Sequence, residues 1–282
     1  MAKGIIQNSE LKKILLDLEK KRGFDFTGLS AGMVERRMSN RLHSIQISKY
    51  SDYLNYLESH PEEYDELIDT LTINVSGFFR DAICFEYLSH VLIPSMLEDK
   101  LAAGNKELRV WSAGCSTGEE AYTLAIILVE CIEKTKHDIN LNIFATDIND
   151  RYLSVARKGV YTLSSMEELK VGLLGKYFVY HPDKTYSLAP AIKKIVHFSA
   201  YDLLDKKTGV PRESIFGNFD IIICRNVLIY YNKEKQSVIF NKILRALQPG
   251  GLMVLGQAEM PDDKTANAVK EESRICKIYT KK

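Results

Sequence analysis

From about residue 107 onward, short apolar runs alternate with amphipathic stretches, and this alternation limits the fold more than any other feature. LRVWSAG (108–114) leads through a glycine turn into a helical pattern that runs to about residue 133. LNIFATD (141–147), VHFSAYDLL (196–204) and NFDIIICRNVLIYY (218–231) are further apolar runs. The helical NKEKQSVIFNKILRALQ (232–248), GLMVLGQ (251–257) and a last strand candidate, SRICKIYTK (273–281), complete the series. Apolar runs of this length suit strands buried on both faces. Their alternation with helices predicts an α/β fold, a mostly parallel Rossmann-like sheet covered on both sides. Residues 150–195 break the pattern. Tyr152, Tyr161, Tyr177, Tyr180 and Tyr186 cluster there, and HPDK (181–184) separates YFVY from TYSL. That spacing predicts a hairpin within a small antiparallel β insertion at about 155–195.

The first 90 residues read as an all-helical domain. Ser9 is placed to cap a helix through LKKILLDLEKK, with Leu11, Ile14, Leu15 and Leu18 at helical spacing and Gly23 as its stop. A second helix spans 31–46, where Met33, Arg36, Arg37, Asn40, Arg41 and Ser44 share a face; Arg37 and Arg41 lie one turn apart, so that face is basic. Helical pieces at 48–58 and 61–74 are interrupted at His60-Pro61. Residues 91–106 read as a linker ending at Ala103-Gly104-Asn105, and 107–282 as the sheet domain. Residues 1–50 carry ten Lys and Arg against five Asp and Glu, so this region is a candidate for an acidic partner, or else a solvated helical surface.

Several function classes are set aside. A net charge of +1 does not favour binding nucleic acid by bulk charge. Five cysteines, Cys84, Cys115, Cys131, Cys224 and Cys276, show no CxxC spacing, and the six histidines are scattered, so neither a disulfide framework nor a metal site is expected. No apolar run reaches 18 residues and MAKGIIQNSELKK lacks a signal-peptide core. Cytoplasmic residence without membrane insertion, as a monomer, is the expectation.

The chemistry concentrates where the first strand meets its helix. Gly114 and Gly118 frame a tight turn that lets a ligand approach the backbone. Glu119 and Glu120 follow at once. Acids suit the positive end of a helix, yet they oppose a pyrophosphate, which needs the same amides. The loop therefore favours S-adenosylmethionine, which carries an amino group, a sulfonium and a ribose but no phosphate. Asp147 ends the second apolar run and is either an acceptor for ribose hydroxyls or a helix cap. Asp202 is either an acceptor for an adenine amine or a turn residue. Asn226 and Tyr230 fall beyond the carboxyl end of a later strand, where ligands of such sheets sit. TINVSGFFR (72–80) mixes Asn, Ser and Gly with aromatics, as a loop closing over a cofactor can.

Together these stretches resemble the CheR family of chemotaxis receptor glutamate methyltransferases, over about residues 10–280. TINVSGFFR (72–80), VWSAGCSTGEEAYTLA (110–125), ATDI (145–148), FDIIICRNVLIYY (219–231) and LQPGGLMVLGQAE (247–259) carry the resemblance, in order. ERRMSNRL (35–42) resembles the basic helix of the family's N-terminal domain. The resemblance implies an S-adenosylmethionine methyltransferase domain preceded by a helical domain. It implies cofactor contacts from Asn74, Ser76, Arg80, Gly114, Glu120, Asp147, Asp202, Leu203, Asn226 and Val227. Arg80 and Tyr230 are implied at the transfer centre, and Arg36, Arg37 and Arg41 toward receptor cytoplasmic helices. This chain has Asp202 where the family often has Asn, Ser76 for Thr, and Ala121 for Pro. Some members carry a glycine-rich hairpin that docks a receptor tether peptide. YFVYHPDKTYSL (177–188) has no glycine, so no tight tether binding is expected.

A glutamate carboxylate is ionised at neutral pH and can take a methyl group without a general base. Catalysis then rests on positioning and desolvation. Arg80 suits the acceptor carboxylate, since a guanidinium matches its geometry. A non-catalytic S-adenosylmethionine sensor or scaffold, a nucleotide-dependent oxidoreductase, and methylation of a different acceptor are the competing readings.

Overall fold

The structure, a computed structural model, describes residues 6, 8–23, 26, 31–71, 76–231 and 233–282. The chain forms two compact units: Met1–Val75 with Val227–Val238, and Ser76–Asn226 with Ile239–Lys282.

The first unit contains helices α1 (Ser9–Arg22), α2 (Ala31–Ser44), α3 (Tyr50–Ser59) and α4 (Glu63–Leu71). Asn8, one residue ahead of the expected Ser9, caps α1, its side chain accepting from the amides of Glu10 and Leu11. Gly23, with φ 85, ends that helix in the left-handed conformation that glycine adopts freely. Leu11, Ile14, Leu15 and Leu18 form the buried stripe of α1, and Val34, Met38 and Leu42 that of α2. Arg41 grips Glu63 of α4 with two hydrogen bonds of 2.8 and 2.6 Å, and the Tyr53 hydroxyl donates to the same carboxylate at 2.6 Å. Arg37 donates to the carbonyls of Thr70 and Leu71, at the last turn of α4. The basic face of α2 is thus partly turned inward on its own unit, whereas Arg36 is exposed.

The second unit opens with α5 (Ala82–Tyr87), one wide π turn (Leu88–Leu92) and α6 (Ile93–Ala102). The expected linker at 91–106 is therefore helical as far as Ala102. Ile93, Leu97 and Lys100 of α6 are buried. Lys100 Nζ reaches Asp220 at 2.5 Å, and Asp220 also accepts from the Arg109 amide at 2.8 Å and from Gln248. Pro94 sits in the first turn of α6, where its missing N–H is harmless, and the π turn lies immediately before it.

The remaining elements are β1 (Glu107–Ala113), α7 (Glu119–Thr135), β2 (Asn140–Asp147), α8 (Asp150–Lys158), β3 (Val160–Thr162), α9 (Val171–Tyr177), β4 (Phe178–Tyr180), β5 (Thr185–Leu188), α10 (Pro190–Lys194), β6 (Val196–Ala200), β7 (Phe219–Cys224), α11 (Lys233–Ala246), β8 (Leu247–Leu255), α12 (Asp263–Ala268), β9 (Val269–Ser273) and β10 (Ile278–Lys281). The main sheet has the order β6-β2-β1-β7-β8-β10-β9. Its first five strands run parallel, while β10 is antiparallel to both β8 and β9. Of the 273–281 stretch, expected as one strand, 278–281 is strand β10, which forms a bulged antiparallel hairpin with β9. The 155–195 insertion is a separate antiparallel sheet, β3-β5-β4, with the expected turn between β4 and β5.

Buried parallel strands explain the continuous apolar runs. Trp111 is fully buried, within 5.6 Å of the Phe219 ring and 5.7 Å of Tyr201. Its indole N–H donates to Thr146 Oγ1 at 2.9 Å, so its polar edge is satisfied. No helix among the described residues is long and apolar enough to cross a membrane.

Candidate functional site

Beyond β1 the chain continues to β2 and β6 on one side, whereas β7 and β8 lie on the other. The strand order reverses between β1 and β7, and ligands of open α/β sheets sit at that point, beyond the carboxyl ends.

The loop after β1 passes through Gly114 (φ 79), Ser116 (φ 49) and Gly118 (φ 94). The amides of Gly114 and Cys115 both donate to the Thr146 carbonyl, at 2.8 and 2.9 Å, and the Ser116 amide donates to Asp147 Oδ2 at 2.8 Å. Asp147 is thereby fixed against the glycine loop. Its Oδ1 accepts from the Asn149 amide at 3.0 Å. The cap of α8 is Asn149, which accepts from Arg151, so Asp147 is not the helix cap. A Cβ at Gly118 would stand 2.8 Å from Ala156 Cβ and 3.1 Å from the Tyr161 hydroxyl. Glycine there lets α7 start close against α8, as the third glycine does in dinucleotide-binding loops.

The two acids that follow differ in environment. Glu119 is buried, and its carboxylate accepts from the Thr117 hydroxyl at 2.7 Å. Glu120 faces Arg225, whose Nη1 stands 3.3 Å away. Burial pushes the Glu120 carboxyl up; Arg225 and Arg80 hold it down in part, and Glu259 adds to the rise. A phosphate brought to this helix start would meet carboxylates, whereas an ammonium would find compensation. The donor set therefore fits S-adenosylmethionine rather than a dinucleotide.

Arg80 closes a turn that two aromatic anchors hold in place. Phe78 and Phe79 are buried, Phe78 edge-on to Tyr161 and Phe178, and the Phe79 amide donates to Thr123 Oγ1 at 3.1 Å. Phe79 and Asp81 both have positive φ, 58 and 64. Arg225 follows β7 directly, donates to the Arg80 carbonyl at 3.3 Å and pairs with the Asp81 carboxylate. Asn226 also has positive φ (59), and its amide donates to Glu259 Oε2 at 3.1 Å. The Gly256 amide donates to that same oxygen at 2.6 Å, and a Cβ at Gly256 would lie 2.7 Å from the Asn226 nitrogen. Strained backbone at Phe79, Asp81, Ser116 and Asn226 thus gathers at this one end of the sheet, as it does at functional sites.

The second unit therefore brings Arg80, Gly114, Glu120, Asp147 and Asn226 to the carboxyl ends of β1, β2 and β7, with Ser76 leading into the Arg80 turn. Leu203 is buried just beyond β6. Asp202 beside it is exposed, and its Oδ1 accepts from the Leu204 amide at 2.8 Å, which is the turn role. Asn74 lies outside the described residues. Val227 and Tyr230 belong to the first unit, where the Tyr230 ring lies 6.0 Å from Phe26. Arg225, Asp81 and Glu259 were not anticipated as site residues. The available signal was a charged residue directly after a buried strand, at the end where ligands bind.

Such a sheet, with an acid-bearing glycine loop and an acid closing β2, defines an S-adenosylmethionine-dependent methyltransferase. Two family models match the chain: the CheR methyltransferase SAM binding domain over residues 74–275, and the CheR methyltransferase all-alpha domain over residues 9–72. The chain belongs to the CheR methyltransferase family. It is 31% identical over 256 residues to a chemotaxis protein methyltransferase of Borreliella burgdorferi, covering 90% of this chain and 89% of that one. It is 32% identical over 248 residues to chemotaxis protein methyltransferase 2 of Pseudomonas aeruginosa, covering 85% and 84%. A chemotaxis protein methyltransferase of Salmonella typhimurium is 31% identical over 259 residues, covering 90% and 84%.

Proposed function

We propose that this methyltransferase esterifies glutamate side chains on the cytoplasmic helices of chemoreceptors, and so serves adaptation in chemotaxis. Family membership along nearly the whole chain carries the reading, and the site's chemistry supports it. When bound, S-adenosylmethionine supplies a methyl group on a positively charged sulfur, which a carboxylate oxygen can accept. Glu120 and Asp147 hold the donor's amino group and ribose, with Gly114, Ser76, Asn226 and Leu203 completing the part of its pocket that the second unit supplies. Arg80 orients the acceptor carboxylate through paired N–H groups. Its grip weakens once the ester forms, because the acceptor's charge is gone. The acceptor is ionised at neutral pH, so no side chain needs to remove a proton. Arg36, the exposed member of the basic face of α2, meets the receptor helix, while Arg37 and Arg41 brace that helix against α4; the glycine-free hairpin between β4 and β5 takes no tether peptide tightly.

The test is transfer of labelled methyl from S-adenosylmethionine to receptor signalling fragments, followed by mild alkali. Methanol released by base identifies carboxyl methyl esters. Cofactor binding without transfer to any receptor fragment rejects the receptor assignment.

Glu120 also gives the binding step a pH dependence. Its raised carboxyl protonates earlier than an ordinary one as pH falls, and a neutral carboxyl holds an ammonium poorly. Cofactor affinity should decline as pH falls through the raised range of Glu120, by at most about tenfold per pH unit. The same shift has the opposite sign for stability: the folded state takes up this proton more readily than the unfolded chain, so the group favours folding as pH falls through its raised range. Calorimetry across the range checks the binding effect. Glu120→Gln should bind weakly with a flat profile, and a parent profile equally flat rejects the role.

A further inference from the structure

Arg80 and Glu120 come from distant parts of the second unit, yet one buried cation touches both their neighbourhoods. The Arg225 side chain is 2% exposed. Its Nη2 pairs with Asp81, and its Nη1 reaches both the Arg80 carbonyl and Glu120 Oε2, each at 3.3 Å. Its guanidinium carbon lies 5.4 Å from the centre of the Phe85 ring, and its Nε has no hydrogen-bond partner among the described residues.

A buried ion pair is seldom more stabilising than apolar residues of the same volume. Stability alone is thus a poor reason for a guanidinium in this place. Its geometry is a better one. The planar fork spans two elements at once: Nη2 meets the Arg80–Asp81 turn, and Nη1 meets both that turn and the first turn of α7. The turn needs such a hold, because the residues on either side of Arg80 both sit in the left-handed region.

The geometry points to Arg225 as a positioning residue for methyl transfer: it fixes the Arg80–Asp81 turn against Glu120, and so sets the distance between the group that orients the acceptor and the group that holds the donor. The acceptor half of this statement rests on the glutamate reading above; the donor half does not.

Asp81 is the better first probe, being 36% exposed and so removable without opening the core. In the full chain, Asp81→Ala should lower the single-turnover rate of methyl transfer by about tenfold or more, with affinity for S-adenosylhomocysteine changed less than about threefold. Arg225→Lys places a point charge where a fork spanned two carboxylates. It should lower the rate similarly and also weaken S-adenosylhomocysteine binding by about tenfold, with Glu120 no longer held. A smaller rate loss in Asp81→Ala, or an equal loss of rate and affinity there, overturns the proposal. A parent chain that binds S-adenosylhomocysteine but methylates no receptor fragment defeats the glutamate reading instead. The clamp is then decided by Arg225→Lys alone, where an unchanged affinity overturns it and a tenfold loss supports it.

Discussion

Arg80→Ala should lower the single-turnover rate of methyl transfer by about 100- to 1,000-fold, the usual cost of removing one preorganised charged donor from a reaction centre. Affinity for S-adenosylmethionine should fall much less, by about fivefold or under, because Glu120 and Asp147 remain in place. The split follows from the way the site is built. Phe78 and Phe79 are anchored in the core, so the turn survives the loss of the Arg80 side chain. What disappears is the cation proposed to align the acceptor carboxylate. Arg80→Lys keeps the charge but not the paired N–H groups, and should recover part of the rate. Rates within about threefold of the parent in both variants would remove Arg80 from the transfer centre.

Gly118→Ala should damage the fold and the cofactor site together. The added methyl meets Ala156 Cβ at 2.8 Å in a backbone with φ 94. The left-handed conformation costs about 1–2 kcal/mol for a non-glycine residue, and overpacking adds about 1–3 kcal/mol. A total of about 2–5 kcal/mol lowers the melting temperature by roughly 4–20 °C in a domain of this size. Cofactor affinity should fall by about tenfold or more, since relief of the clash moves the loop that holds Asp147 and begins α7. Gly104→Ala is the control. It has φ 70 but nothing within 4 Å of the new methyl, so it should incur only the backbone cost. Equal melting temperatures for the two variants would show that close packing of α7 on α8 is not what requires glycine at 118.

Legibility in the sequence followed burial. The five parallel strands stood out because a strand covered on both faces is apolar at every position, and the glycine loop stood out because its conformation restricts residue choice. Helix α6 was hidden. Glu98, Asp99 and Lys100 look like a charged connector, and Pro94 looks like a breaker, but Pro94 occupies the one turn that tolerates it and Lys100 is buried on Asp220. Strand β9, Val-Lys-Glu-Glu-Ser, carries no apolar run because it is an edge strand. Arg225 was read as part of a continuous apolar stretch. Its role depends on Asp81 and Glu120, more than a hundred residues away in sequence, and no local pattern records that pairing. Asp147 was legible as the acid that ends β2 but ambiguous with a cap until Asn149 proved to be the cap. The partial burial of Arg37 and Arg41 was equally invisible, since Glu63 and the end of α4 come from another helix.

The placement of β10 bears on how this chain is made. Residues 278–281 lie between β8 and β9, so β10, which follows β9 in the sequence, is the inner of the two strands. When Val269–Ser273 emerges, the neighbour it needs does not yet exist, and β8 still presents an unpaired edge beside it. The parallel half of the sheet can assemble as it is translated, but β8, β10 and β9 must close in a single late event. Until then the nascent protein carries an open strand edge, which is prone to pairing with other chains.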